Sequence, residues 1–264
     1  ETGHWLDMAQ STVTGIGETT GRYVDTLIAS VQEGHAGAPE VIGLEAEAAL
    51  SAIVDRLNVS VAGRHIFSGE AARTQPLPNT SDFRQVMMNL VAGATSAADI
   101  EARLDAYFAS GGDFETTTYA GAPTSTQPVS ISESDRVAVD LRASLPAFRE
   151  VFKAMTLTIA ASELIGLSRG DQEKLAAKSL EVGLNARDTL RSLSGEIGFM
   201  QEKVELSRAQ LNAEISASEI VRTELLAVDP YETASRLEDV NTRLEFLYTV
   251  TARSRNLSFL EFMR

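Results

Sequence analysis

The amino-acid sequence predicts a mainly α protein, an elongated antiparallel helical bundle or coiled coil that carries a small inserted α+β domain. Three observations point that way. Near the start, Leu6, Ala9, Val13, Ile16, Thr20, Tyr23 and Leu27 recur at spacings of three and four, which places them on one stripe of a helix. Far downstream, Val182, Ala186, Leu190, Leu193, Ile197, Met200, Val204, Leu211, Ser218 and Leu225 keep nearly the same period, and Leu237, Val240, Leu244 and Leu247 resume it after Asp229-Pro230. The middle of the chain lacks this period and reads as short strands, turns and small helices. Stripes this narrow do not hold a lone helix in water, so segments remote in sequence are expected to lie along one another.

Each element has a local reason. The first helix is expected from His4 to Glu33, because Gly34, Gly37 and Pro39 then break the pattern within a few residues. Pro39 suits the first turn of a second helix, whose apolar face is Val41, Leu44, Leu50, Ile53, Val54, Leu57 and Val61 and whose end is Gly63. Arg64-His65-Ile66-Phe67 reads as a short strand closed by Ser68-Gly69. Two short helices are expected at Ser81 to Ala92 and Ser96 to Ala109, and β structure at Phe114 to Tyr119 and Val137 to Leu141, separated by Gly111-Gly112, Gly121 and Pro123. Ser144 is expected to cap a helix with Pro146 in its first turn that buries Phe148, Phe152, Met155 and Ile159. Asp171 and Glu173 open the main C-terminal helix, which is interrupted or restarted at Pro230 because proline is accepted in a first turn but not in a helix interior. The expected division is a discontinuous rod domain of residues 1–75 plus 146–230, an inserted variable domain of 76–145, and a C-terminal helical segment of 231–264.

Composition excludes several classes. With 264 residues and 44% hydrophobic content the chain can bury a core, and 37 acidic against 23 basic side chains give a net charge of −14, which disfavours nucleic acid and anionic membranes as partners and opposes self-association of this chain. A monomer is the expectation. No apolar run is long enough to span a membrane, and the N-terminus lacks a basic segment followed by an apolar signal core. Position 1 is Glu rather than Met, so the sequence is expected to be a piece of something longer. The absence of cysteine rules out disulfides and thiolate metal sites.

Motifs that could carry chemistry do not assemble into a catalytic reading. Gly166-Leu167-Ser168-Arg169-Gly170 matches the nucleophile-elbow pattern, but the preceding residues read as helix and the three histidines, His4, His35 and His65, all lie upstream, whereas an elbow needs a strand before the serine and a histidine after it. A helix-start turn is the better reading, and Arg169-Gly170-Asp171 within it reads as a solvated loop before a helix rather than an adhesion tripeptide. The histidines are too few and unpaired for a metal site, the carboxylates are scattered over polar helix faces, and no glycine-rich phosphate loop is present. Asn58-Val59-Ser60, Asn79-Thr80-Ser81 and Asn256-Leu257-Ser258 match the glycosylation pattern by composition alone. No enzyme, cofactor or metal is expected.

Two segments resemble a known family. Gly63-Arg64-His65-Ile66-Phe67-Ser68-Gly69, set directly after a helical hairpin, resembles the turn that leaves the N-terminal helices in the flagellin superfamily, with Gly63, Arg64, Phe67 and Gly69 as its structural residues. Asp229-Pro230-Tyr231-Glu232, Ala234-Ser235-Arg236-Leu237, Leu244-Glu245 and Tyr248-Thr249-Val250-Thr251-Ala252-Arg253, leading to Leu257-Ser258-Phe259-Leu260, is similar to the hook-associated protein 3 branch of that superfamily, the hook–filament junction subunits. The resemblance covers about 4 to 75 and 145 to 264. It implies a flagellin D1-like rod, export to the bacterial flagellum without a cleaved signal peptide, and assembly through terminal coiled-coil helices. It also implies hook-associated protein 1 and flagellin as neighbours, and an export chaperone. In such proteins a further N-terminal stretch pairs with the C-terminal helix; it is absent here, which leaves Leu237, Val240, Leu244, Leu247, Leu257 and Leu260 as the expected assembly interface. A filament flagellin is the alternative within the superfamily, and an intracellular coiled-coil adaptor the alternative outside it.

Overall fold

A computed structural model describes residues 2–32, 39–125, 129–130, 136–137, 140–227 and 229–262. Seven α-helices dominate: α1 Thr2–Gln32, α2 Pro39–Leu57, α3 Thr80–Val91, α4 Ala97–Phe108, α5 Pro146–Glu163, α6 Arg169–Leu226 and α7 Pro230–Phe262. Two short hairpins complete the described residues, β1 Ser60–Val61 with β2 Arg64–His65 and β3 Val129–Ser130 with β4 Arg136–Val137. The chain divides into two compact units, Glu1–Arg208 and Ala209–Arg264.

In the first unit, α1, α2, α5 and α6 run alternately up and down. Thr26 of α1 donates to Glu45 of α2, whereas an added Cβ at Gly15 would meet the Arg56 guanidinium, so the two helices are antiparallel. The α1–α6 pair is antiparallel as well, since Asp7 accepts from Gln201, Gln10 donates to Ser194, and Tyr23 meets Ser179. All seven residues of the first predicted stripe, Leu6 through Leu27, are buried. The second stripe is buried only from Val182 to Ile197, while Met200 and Val204 are half-covered and Leu211, Ser218 and Leu225 are exposed. The expected burial as far as Leu225 is therefore corrected, and the reason is the length of the partner. An added Cβ at Gly3, in the first turn of α1, would stand 3.8 Å from Val204, so α1 lines α6 only to that level.

α5 is the axis of the core. Residues on all its sides are buried, from Ala147 and Phe148 to Ala160 and Ala161, because α2, α3 and α4 pack against it and Tyr23 of α1 and Ser179 of α6 both bond its Ala154 carbonyl. The Phe83 ring of α3 lies 4.8 Å from that of Phe152, Phe114 lies 5.7 Å from Phe152, and Phe67 meets Phe148 edge-on at 5.6 Å. The helices of the segment expected as an insert thus place their aromatic rings in the same core as the rod helices. Arg84 of α3 bridges Glu47 of α2 and Glu163 of α5 at the rim of that contact.

Local chemistry explains most boundaries. Asn79 and Ser96 cap α3 and α4 by accepting the N–H groups of Asp82 (3.0 Å) and Asp99 (3.3 Å). The expected cap of α5 at Ser144 is corrected: Leu145 holds the cap position without a side-chain bond, and Pro146 at the first helical position needs no N–H partner. Phe114–Thr118 forms a π-helical turn rather than a strand, with Phe114 and Thr118 buried and Tyr107 bonded to Thr118. Its aromatic and β-branched composition reflects burial against Tyr107 and Phe108, not strand pairing. The expected strand Val137 to Leu141 is seen only at Val137, the pairing partner of Val129; positions 138–139 lie outside the described residues, as do Glu33, Gly34, His35 and Gly37 at the end of α1.

Candidate functional site

The turn after α2 is built from its glycines. Ala62 and Gly63 both have positive φ, 50° and 75°, which makes the two-residue connection between β1 and β2 a tight hairpin whose twist matches its strands. The expected strand Arg64 to Phe67 pairs only as far as His65. Ile66 and Phe67 then turn inward and are buried. The Arg64 guanidinium sits 5.5 Å over the Trp5 ring, which ties the hairpin to the start of α1. Gly69 has φ +59°, and a Cβ there would lie 2.4 Å from the Thr124 carbonyl, so no other residue fits. The Ser68 and Phe67 carbonyls accept from Ala122 (2.9 Å) and Ala143 (2.8 Å), and the Tyr119 hydroxyl donates to Phe67 O (3.3 Å). Burial pushes the Tyr119 phenol far above its ordinary value. The motif is a structural junction of the first unit, and Tyr119 is a member of it that carries no sequence signal.

The helix-start reading of the elbow-like motif has a concrete geometry. Ser168 accepts the Asp171 N–H (3.1 Å) and donates to the Asp171 carboxylate (2.6 Å), which lowers that carboxyl from its ordinary value. Arg169, Gly170 and Asp171 are the first turn of α6, not a loop, and Arg169 is paired with Glu173. Asn58 is engaged on both sides, donating to Pro78 O and accepting from Leu77, and His65 Nδ1 lies 2.8 Å from Asn58 O. Among the described residues no group of His, Asp or Glu is gathered as a metal would require, and no helix is long and apolar enough to cross a membrane.

The second unit carries most of the large apolar side chains that stand exposed among the described residues. Asp229 starts α7, its carboxylate accepting from Tyr231 (2.8 Å) and its carbonyl from Thr233 (3.0 Å), ahead of Pro230 in the first turn. At 1.5 Å per residue this helix is about 50 Å long. Leu237, Val240, Leu244 and Leu247 share one face and are 44–63% exposed. Positions 257 and 260 follow Leu244 by 13 and 16 residues, which at 3.6 residues per turn is the opposite half of the helix; the side chains of Leu257 and Leu260 lie outside the described residues. The six residues expected as one interface therefore fall on two faces. Phe246 (68% exposed) and Val250 (44%) lie together on a second face of the helix, off the three-and-four spacing of Leu237 to Leu247. On the last turns of α6, Leu211, Ile215, Val221, Leu225 and Leu226 are exposed too. Polar contacts along α7 include local ones, Arg236 with Glu232 one turn away and Thr249 donating to Glu245 O. Such one-turn bonds leave the apolar faces available.

The fold is similar to that in the crystal structure of FlgL, hook-associated protein 3, from Bacillus cereus. The two chains superpose with a TM-score of 0.56 at 17% identity, over 81% of this chain and 86% of that one. At this identity the likeness is one of fold. No family model matches the chain, and no curated protein matches it.

Proposed function

We propose that this chain is a structural, non-enzymatic subunit of the bacterial flagellum, positioned at the junction of hook and filament and assembled through its terminal helices. One observation carries the reading. The apolar stripe of α6 is buried where α1 lies beside it, yet apolar side chains from Leu206 through Val250 stand bare on long, well-capped helices. Fifteen large apolar residues exposed on two helices are a solubility liability unless other helices cover them. Helices of neighbouring subunits are the cover that the FlgL-like fold suggests, with hook-associated protein 1 on one side and flagellin on the other. The net charge of −14 keeps such a subunit soluble until it is seated, helped by an export chaperone. Export proceeds through the flagellar secretion channel.

Immunogold labelling of flagella from the source bacterium tests the position. A narrow band of gold at the boundary of hook and filament is expected. Label along the whole filament would make the chain a flagellin instead, and label confined to the cell body would make it an intracellular coiled-coil adaptor.

A further inference from the structure

We infer that in the unassembled chain α7 folds back on the end of α6, with Leu237, Val240 and Leu244 lying antiparallel against Ser218, Ile215 and Leu211, and covers that bare face until a neighbouring helix displaces it. The two seams are mirror images about their connection. Ser218, Ile215 and Leu211 stand 8, 11 and 15 residues before Leu226, the last residue of α6, while Leu237, Val240 and Leu244 stand 7, 10 and 14 residues after Pro230, the first residue of α7. In an antiparallel hairpin each pair is therefore level to within about 1.5 Å, one residue of helix rise. The five apolar members are 43–63% exposed and Ser218 is exposed too, so nothing else in the chain occupies either seam.

The connection and the charges fit the same arrangement. Three residues separate Leu226 from Pro230, within the range of about two to five that joins antiparallel helices. Pro230 keeps α6 from running on, because it has no N–H to donate and its ring would meet the Leu226 carbonyl. With Ile215 opposite Val240 and Leu211 opposite Leu244, Glu214 and Arg243 fall on the same flank of the hairpin, one residue before Ile215 and Leu244, where their opposite charges attract. A second copy is the weaker competitor. A short connection holds α7 near α6 at a roughly millimolar effective concentration, and the net charge of −14 on each chain opposes a bimolecular contact. Ser218 and Arg222 interrupt the seam of α6, so the closed hairpin is weaker than a continuous apolar seam and yields to a better-matched helix. Its role as the cover of an assembly face rests on the function proposed above, whereas the contact itself does not.

The test uses the absence of cysteine in the chain. Ile215→Cys with Val240→Cys should form an intramolecular disulfide on mild oxidation of the dilute purified chain, and Ile215→Cys with Leu247→Cys is the out-of-register pair. All three positions are exposed, so the substitutions leave the buried core untouched. The 215–240 product is expected to exceed the 215–247 product roughly tenfold, because seven residues further along the helix is about 10 Å, beyond disulfide reach. Equal yields would overturn the inference by showing that the helices meet only through random collision. Absence of an intramolecular product would overturn it as well, and disulfides only between molecules would assign the face to a second copy. Because the purified chain is used alone, a failed cross-link leaves the flagellar position to the gold label, and label along the whole filament leaves the cross-link standing.

Discussion

Truncating Phe83 to alanine tests whether the middle of the chain and the rod helices are one cooperative body. Phe83 is fully buried on α3, with its ring 4.8 Å from Phe152 of α5 and 6.3 Å from Phe114. A Phe→Ala change at such a site costs about 3–5 kcal/mol, the transfer loss of the ring plus the cavity left among rigid neighbours. Urea unfolding of a body of this size has a slope of roughly 2–3 kcal/mol per molar, so the midpoint should fall by about 1–2 M. The assay is circular dichroism of the helical signal against urea. A single transition that moves as a whole is expected, because the lost contact is with α5, the helix that α1, α2 and α6 also cover. A small early loss of helix followed by a main transition at the parent midpoint would refute the reasoning, since it would mean that α3 and α4 unfold as a separate insert.

Three further outcomes follow from the same geometry. Excision of residues 78–127 with a short linker removes Phe83 and Phe114 from Phe152, so the remaining helices should bind a hydrophobic dye and lose cooperative unfolding; a sharp transition without dye binding would show that α5 needs no cover on that side. Gly69→Ala places a Cβ against the Thr124 and Ala122 carbonyls at positive φ and should cost about 1–3 kcal/mol by urea midpoint; an unmoved midpoint would mean that the turn relaxes freely. Burial pushes the Tyr23 phenol from 10.0 up to about 12, so its contribution to stability is intact below pH 10 and is lost as the pH rises from about 10 to 12. The total loss is roughly 3 kcal/mol. Comparing the alkaline decline of Tyr23→Phe with that of the parent isolates this part, and identical declines would contradict it.

The helical framework was legible because periodicity depends only on which residues are apolar. Leu6 to Leu27 on α1 and Val182 to Ile197 on α6 show it, and the caps at Asp229-Pro230 and before Asp171 are chemistry of neighbouring residues. What the sequence hid depends on partners far along the chain. The stripe of α6 runs on past Val204 without a change of period, and only the reach of α1 determines where its burial stops. Phe114 to Tyr119 has the composition of a strand, yet the Phe114 ring packs beside Phe83 and Phe152, and burial overrides local propensity there. At the candidate interface the seam from Leu237 to Leu247 was readable at one face, whereas Phe246 and Val250 require the helix to be turned over before they line up with positions 257 and 260.

Leu244→Asp in the full-length protein of the source bacterium decides whether the bare face of α7 is an assembly surface. Leu244 is 44% exposed and lies in the second unit, so the purified variant should keep the urea midpoint of the parent. Between packed helices of neighbouring subunits the same carboxylate would be buried without a partner, a cost of several kcal/mol at every seam. Non-swimming cells that release the folded subunit into the medium are expected. Cells that swim normally and retain the variant on isolated hooks would contradict it.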